Sequence, residues 1–206
     1  MDHHPTSGLW SGPSKRDAIL AGAYRAFARY GYANTKIETI AELAGVGKGT
    51  IYLYFENKED VFRQMVKELI ERHLDALRGR LSGDGSPGAR LLAVFELHMA
   101  ILKRHPYSFS LHGRDVGPAD EDLRNWLREQ KRRFIRDLER TIEEGIRTGE
   151  FRRVNARSAA LWVFALLGIA FLEEVLQDVG WEDRLKTFID LMRNGLWSQP
   201  NDTALV

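Results

Sequence analysis

The 206-residue chain contains no cysteine. This absence excludes structural disulfides, zinc sites with cysteine ligands and cysteine nucleophiles. Long apolar runs are missing too: the longest, over residues 159–172, has 14 residues, whereas a membrane-spanning helix needs about 20. The N-terminal 16 residues lack an apolar segment of signal-peptide length. We therefore expect a soluble, cytoplasmic protein without a membrane partner.

The chain also has almost no excess of charge of one sign, because its formal net charge is +1. That value does not by itself indicate a nucleic-acid partner. The balance is different near the N-terminus, where residues 15–58 contain seven lysines and arginines against four acidic residues. Hydrophobic residues make up 44% of the chain and charged residues 29%, which is typical of a folded globular protein.

Apolar residues recur at helical spacing along every long segment, and no segment shows a sustained strand alternation. The sequence therefore predicts an all-α protein with about nine helices, a three-helix unit followed by a larger helical bundle. We expect a disordered arm over 1–13, the three-helix unit over 14–57 and the bundle over 58–200. The predicted helices cover residues 14–31, 35–44, 48–55, 57–81, 89–104, 106–112, 120–147, 155–176 and 181–196.

Residues that begin or end helices support these boundaries. Ser14, Asn57 and Asn155 are predicted N-caps, and Thr35 with Glu38 has the spacing of a capping box. Glycines 31 and 45 are predicted helix ends. The first helix is expected to bury one face, formed by Ile19, Leu20, Ala23, Ala26, Phe27 and Tyr30.

The stretch GVGKGTIYLYF, residues 45–55, places Lys48 among three glycines. A nucleotide-binding P-loop would need glycine five positions before Gly47, serine or threonine after Lys48, and a preceding strand. The chain has Glu42 and Gly49 at those two positions, and a predicted helix precedes. Two short helices joined by a glycine-containing turn fit a helix-turn-helix instead, in which the second helix enters the major groove.

Spacing separates two sides of this second helix. Ile51 and Phe55 are four residues apart and apolar, so we expect them to face the core of the three-helix unit. Thr50, Leu53 and Tyr54 then point towards the groove or its walls, and no acidic residue lies on this helix. The alternative left open by the pattern is a buried helix in an ordinary bundle.

The segment TKIETIAELAGVGKGTIYLYFENKEDVF, residues 35–62, with AFARYGYANT before it, resembles the DNA-binding signature of TetR/AcrR-type transcriptional regulators. The resemblance covers about residues 15–62, and the rest of the chain matches only in helix pattern. It implies a homodimeric, ligand-responsive regulator that usually represses, with 14–57 as the DNA-binding domain and 58–200 as the ligand-binding and dimerisation domain. The implied DNA contacts are Thr35, Tyr52, Tyr54 and Lys58 with phosphate, and Lys48, Gly49, Thr50 and Leu53 at the base edges. Leucine at position 53, where many relatives have an aromatic residue, favours contact with a thymine methyl.

The second half of the chain is rich in aromatic residues on helical faces. In a regulator of this kind, such faces enclose an effector, and apolar cavities select ligands by shape with a few polar groups fixing orientation. We therefore expect a small hydrophobic effector, such as a fatty-acyl compound or an aromatic drug-like molecule. The candidate pocket residues are Phe95, His98, Tyr107, Phe109, Trp126, Gln130, Phe134 and Trp162.

A helix over residues 159–172 would be apolar on all sides, so other parts of the protein must cover every side of it. One flank can pack in its own bundle, and a second subunit can cover the other, with the helix over 181–196 beside it. The sequence therefore predicts a homodimer sealed by its last two helices.

Other chemistries have little support. His98 and His105 share a helical face, but half-buried histidines explain this pattern better than a metal site. Neither a nucleophile–base pair nor paired carboxylates can be told apart from surface charge, so we expect no enzyme, cofactor or metal. A helical ligand-binding or interaction protein without operator binding remains the alternative function.

Overall fold

The computed structural model describes residues 14–104, 121–169 and 180–196. Within these ranges the chain forms eight helices and no β-sheet, which confirms the all-α prediction. The arm over 1–13, the short helix over 106–112 and residues 170–176 of the eighth predicted helix lie outside the described residues. The helices are α1 (Lys15–Asn34), α2 (Ile37–Ala44), α3 (Lys48–Tyr52), α4 (Lys58–Leu81), α5 (Pro87–Arg104), α6 (Glu121–Thr148), α7 (Ala156–Ile169) and α8 (Trp181–Leu196).

The chain divides into two compact units, called unit 1 and unit 2 here. Unit 1 comprises residues 1–74 and 102–128, and unit 2 comprises residues 75–101 and 129–206. The border therefore falls inside α4, α5 and α6. The functional boundary expected at residue 57 stays a prediction.

Unit 1 is built around the buried faces of α1, α2 and α4. Ser14 caps α1 as predicted, because its hydroxyl accepts a hydrogen bond of 3.0 Å from the Asp17 backbone N–H. Asn57 caps α4 by accepting from the Asp60 N–H at 2.8 Å. The core is apolar, and its fully enclosed side chains include Ile19, Leu20, Phe27, Ile40, Ile51, Val61 and Met65.

A break in α1 changes one of the predicted core positions. Gly31 has φ +73° and ψ 163°, so the regular helix is interrupted there before the element ends at Asn34. Tyr30 was expected to face the core, but 40% of it is exposed. Tyr32 packs in its place, with its ring centroid 5.6 Å from Phe27 and 5.0 Å from Phe62. Glycine permits the positive φ that turns the chain in this way.

The turn between α2 and α3 is closed by backbone hydrogen bonds. Gly45 ends α2 in the left-handed region at φ +66°, and its N–H donates to the Ala41 and Glu42 carbonyls. The Val46 N–H donates to the Ala41 carbonyl at 3.0 Å. This arrangement satisfies carbonyls at the helix end that would otherwise lack a donor.

Unit 2 contains the end of α4, most of α5 and α6, and the helices α7 and α8. Asn155 caps α7 as predicted, by accepting from the Ser158 N–H at 2.8 Å. The chain turns tightly between α6 and α7, and a Cβ on Gly145 would lie 2.2 Å from the Phe151 ring. The unit has its own apolar core, which includes Leu77, Leu91, Val94, Phe134, Leu138, Ile142, Phe151, Ala160 and Leu167.

Apolar side chains on α7 and α8 differ widely in burial. Val163 and Leu167 are buried, whereas Trp162 is 72% exposed and Leu191 57% exposed. Among the described residues, the apolar surface of α7 is therefore buried on one flank and exposed on the other. None of the described helices is both long and apolar enough to cross a membrane.

Candidate functional site

The helix α3 presents two different faces, as its sequence predicts. Ile51 is fully buried and Phe55 is 2% exposed, so both lie in the core of unit 1. The helix itself is shorter than predicted: it ends at Tyr52, whereas the predicted end was residue 55. Beyond it, Leu53 is 81% exposed, and Tyr52 and Tyr54 are 49% and 43% exposed. Three large side chains with apolar bodies thus face away from the core side by side.

Lys48, the first residue of α3, pairs with a carboxylate on α2. Its Nζ lies 2.6 Å from Glu38 Oε1 and 6.0 Å from the centroid of the Tyr52 ring. Both partners are mostly exposed to solvent. The hydrogen bond lowers the pKa of Glu38 and raises the pKa of Lys48, so both groups are held in their charged forms. The ammonium has three donor protons, so this pairing occupies only part of its capacity.

Thr35 is directed inward. Its side chain is 1% exposed, and its hydroxyl lies 2.7 Å from the Gly31 carbonyl and 3.2 Å from the Ala26 carbonyl. The predicted capping box with Glu38 is wrong, because Lys36 is the N-cap of α2 and no side-chain cap is formed. The hydroxyl supplies a donor to carbonyls in the second half of α1. A phosphate contact by Thr35 stays a prediction.

Lys58 is positioned by Tyr32. Its ammonium donates to the Tyr32 carbonyl at 3.1 Å and lies 4.5 Å from the Tyr32 ring centroid. The Tyr32 hydroxyl donates to Glu59 at 2.8 Å. Burial, followed by this hydrogen bond to a carboxylate, raises the pKa of Tyr32. The lysine at the start of α4 is therefore held against the end of α1 by contacts with the backbone and with the ring.

Gly49 and Thr50 complete the predicted set. A Cβ built on Gly49 would meet no atom within 4 Å, so the space beside its Cα is open. The Thr50 N–H donates to the Gly47 carbonyl at 2.9 Å, and the residue is half-buried. The structure thus gathers Lys48, Gly49, Tyr52 and Leu53 on or beside one short helix. We call residues 48–50, 52–54 and Lys58 together the reading surface.

The sequence prediction missed two residues that touch this surface. Glu38 was assigned to a capping box, yet its carboxylate binds Lys48. Tyr32 received no role, yet it holds Lys58. The signal for Glu38 was available as opposite charges in the first turns of two helices that meet at a tight turn.

Three predicted effector residues lie in the core of unit 2. Phe95 stacks on Phe188 with ring centroids 3.4 Å apart, and the Phe134 ring lies 6.4 Å from Phe164. His98 Nε2 lies 3.1 Å from the Leu167 carbonyl oxygen. Since a carbonyl can only accept, Nε2 carries the proton. Burial lowers the pKa of His98 to about 4, against the opposing effect of this hydrogen bond.

Of the other predicted effector residues, one more is buried in unit 2. Gln130 is buried in unit 2, with 8% exposed. Trp126 belongs to unit 1, where it packs against the apolar core with Lys67 Nζ 5.7 Å from its ring. Trp162 is exposed and does not lie in the core of unit 2, so its contact with an effector stays a prediction. Tyr107 and Phe109 lie outside the described residues.

The described residues of unit 2 line two grooves of note. One has a volume of about 360 Å³, and its lining includes the charged residues Arg78, Arg90 and Asp137. The other, of about 280 Å³, runs between α7 and α8 and is lined by Trp162, Val163 and Leu191 among others. Of the predicted effector residues, only Trp162 lines either of these two grooves. In the portions of the chain that the structure describes, no group of three histidines or carboxylates is placed to hold a metal ion.

Two family patterns match the chain. Residues 19–65 match bacterial regulatory proteins of the tetR family, and residues 84–170 match a tetracyclin repressor-like C-terminal domain. The fatty acid metabolism regulator protein of Bacillus subtilis (strain 168) is 26% identical over 161 residues, covering 78% of this chain and 83% of that protein. RutR of Escherichia coli (strain K12) is 23% identical over 152 residues, covering 74% of this chain and 71% of that protein.

Solved structures share the fold. The fatty acid degradation regulator FadR from Bacillus halodurans has a TM-score of 0.75 at 26% identity, covering 90% of this chain and 97% of its own. FadR from Bacillus subtilis in complex with stearoyl-CoA has a TM-score of 0.73 at 23% identity, covering 86% and 97%. A regulator from Saccharomonospora viridis in complex with choline has a TM-score of 0.76 at 21% identity, covering 89% and 98%. The chain belongs to the tetR family of bacterial regulatory proteins and is a ligand-responsive, DNA-binding transcriptional regulator.

Proposed function

We propose that the protein is a homodimeric repressor that binds a two-half-site operator through its reading surface and leaves it when a hydrophobic effector binds. The observation that carries the DNA-binding part is the division of residues 51–55. Ile51 and Phe55 fix the segment in the core, while Tyr52, Leu53 and Tyr54 remain exposed. A buried structural helix would not leave three large side chains in solvent.

The reading surface has groups suited to both kinds of DNA contact. Lys48 can donate to guanine acceptors in the major groove, and Leu53 can contact a thymine methyl. Tyrosine hydroxyls and Lys58 suit phosphate oxygens, which set the position of a protein on the duplex. Gly49 has open space above its Cα, which would let the backbone approach a base edge closely.

The homodimer is supported by the exposed apolar side chains of α7 and α8. Leu161, Trp162 and Leu191 are 48%, 72% and 57% exposed. Large apolar areas of this kind mark interfaces, and obligate interfaces are more apolar than transient ones. Two copies of the reading surface would then meet successive major grooves, about 34–36 Å apart along the duplex.

The effector class is supported by the composition of unit 2 and by the relatives. Phe95 and Phe134 lie in an apolar core with the neutral His98 as a polar group. A similar fold is known in complex with stearoyl-CoA, and a curated relative is named as a fatty acid metabolism regulator. We propose a long-chain acyl compound as the effector. The protein would act by changing DNA occupancy, without catalysing a reaction.

Titration of variants against DNA tests the reading surface. The probe is a duplex recovered by wild-type protein from a random-sequence library. Lys48→Ala should lower affinity by roughly an order of magnitude through loss of a base contact. Lys58→Ala should reduce the slope of log affinity against log salt by about one, because a phosphate contact is lost. Gly49→Ala should fold normally and bind DNA less tightly.

Matched controls separate a DNA contact from a general effect of substitution. Tyr52→Phe should weaken binding, whereas Tyr30→Phe removes a hydroxyl of similar exposure away from the reading surface and should not. Lys131→Ala, an exposed lysine of unit 2, controls for the loss of charge. If the four reading-surface variants fold and bind like the wild type, the assignment of α3 to the groove is wrong.

A further inference from the structure

Glu38 brings a negative charge to the edge of the reading surface. Its Oε1 lies 2.6 Å from Lys48 Nζ, and the two side chains are 60% and 52% exposed. An ion pair so exposed contributes little to folding, because water screens it and two long side chains lose conformational freedom. Its consequence therefore lies in what each charge does when DNA approaches.

The two acceptor classes on DNA respond differently to this carboxylate. Phosphate oxygens are anionic, so a phosphate that binds Lys48 must share the lysine with Glu38 and is repelled by it. The O6 and N7 atoms of guanine are neutral acceptors. An ammonium with three donor protons can serve Glu38 and a guanine together. The carboxylate thus opposes the phosphate contact more than the base contact.

We propose that Glu38 is a specificity-determining residue that suppresses sequence-independent binding by holding Lys48. This inference rests on the operator binding proposed above. Non-specific affinity comes almost entirely from phosphate contacts, so the effect of Glu38 should fall mainly on that mode. Specificity then arises partly from a negative charge placed beside a reading-surface lysine, a device that lowers affinity for the wrong target.

The test compares wild-type protein and Glu38→Gln on two DNA probes at several salt concentrations. The probes are the duplex recovered by selection and the unselected random-sequence library. On the library, Glu38→Gln should raise affinity about threefold or more at ~100 mM salt and steepen the salt slope by about one, the change for one added phosphate contact. On the selected duplex the gain should be smaller, so the specificity ratio falls.

Two further proteins show whether the effect belongs to the pair. Glu42→Gln removes the same charge from an exposed position of the same helix and should change library binding less. In the Lys48→Ala background, Glu38→Gln should give a much smaller gain, because only the direct repulsion of phosphate is then removed. The inference is overturned by an equal gain from the two glutamate variants, by an equal gain on both probes, by an unchanged library affinity, or by a gain of the same size without Lys48.

The proposed function can fail separately. If the wild-type protein recovers no sequence from the library, operator binding is wrong. The library titrations and their salt slopes still decide the role of Glu38, since they need no operator.

Discussion

His98 is a polar side chain enclosed by the apolar core of unit 2, with 4% of its surface exposed. Its Nε2 proton is used on the Leu167 carbonyl of α7. Desolvation lowers its pKa to about 4, below the ordinary value of about 6.5. The folded protein therefore keeps this ring neutral at pH values where the unfolded chain binds a proton.

This difference predicts a pH dependence of stability. Between pH 6.5 and about 4 the unfolded state binds more protons at this site, so stability is present above pH 6.5 and is lost as the pH falls. Urea unfolding at pH 7 and pH 5 should show a loss for the wild type that exceeds the loss for His98→Gln by about 2 kcal/mol. An equal loss in the two proteins would contradict the assignment of a neutral, buried His98.

The residues that sequence reasoning placed correctly are those whose position follows from spacing. Ile51 and Phe55, four apart, are both buried, and Ser14 and Asn57 form the predicted caps. Tyr30 was misplaced because the non-helical backbone at Gly31 turns the chain so that Tyr32 packs against Phe27 and Phe62 in its place, and spacing carries no record of that turn. Polar groups were the least predictable, because their partners come from other helices.

At the scale of elements, periodicity located the helices and tertiary contacts set their ends. α5 begins at Pro87, two residues before the predicted start, and α6 runs from Glu121 to Thr148, close to its predicted range. α3 ends at Tyr52, although the Phe55 N–H still donates to the Ile51 carbonyl at 3.0 Å. The predicted pattern of burial over 48–55 therefore holds without a full helix.

The crossing of α1 and α2 depends on a glycine. A Cβ on Gly22 would lie 2.8 Å from both the backbone nitrogen and the Cβ of Ala44. Gly22→Ala should therefore push the two helices apart and lower the free energy of unfolding by about 1–3 kcal/mol, as overpacking does. Denaturant unfolding followed by circular dichroism measures this change.

Gly79 provides the matched control for that substitution. It lies inside α4, and a Cβ there would meet nothing within 4 Å. Gly79→Ala should therefore stabilise the protein by about 0.5–1 kcal/mol, because alanine favours a helix over glycine. If Gly22→Ala stabilised the protein in the same way, the close approach of α1 and α2 would be wrong.

At the scale of the whole molecule, assembly should depend on α7 and α8. Light scattering at micromolar concentration should report twice the 23.6-kDa mass of one chain. Trp162→Arg should shift the mass towards one chain, because a charge would be buried without a partner in an apolar interface. Leu53→Arg, on an 81% exposed leucine of the reading surface, should leave the mass unchanged. A wild-type protein of single-chain mass across this range would remove the proposed interface.

Effector binding and DNA binding must be linked in both directions if the proposed function is right. A ligand that favours the conformation unfit for DNA lowers operator affinity, and operator DNA lowers ligand affinity by the same factor. Stearoyl-CoA should reduce affinity for the selected duplex by about 5- to 150-fold, the usual range for such coupling. The half-buried Trp126, packed against the core of unit 1, offers an emission signal that should change with the same ligand affinity.

Chemically matched ligands identify the part of the effector that matters. Coenzyme A without an acyl chain should release much less DNA, because the proposed binding energy comes from burial of the chain. Choline tests a small cation in place of an apolar chain and should leave DNA bound. Phe134→Leu, which shrinks one side chain of the buried core, should change the affinity for stearoyl-CoA while leaving DNA binding by the ligand-free protein intact. Release by choline but not by stearoyl-CoA would show that the effector is not hydrophobic, without affecting the assignment of the reading surface.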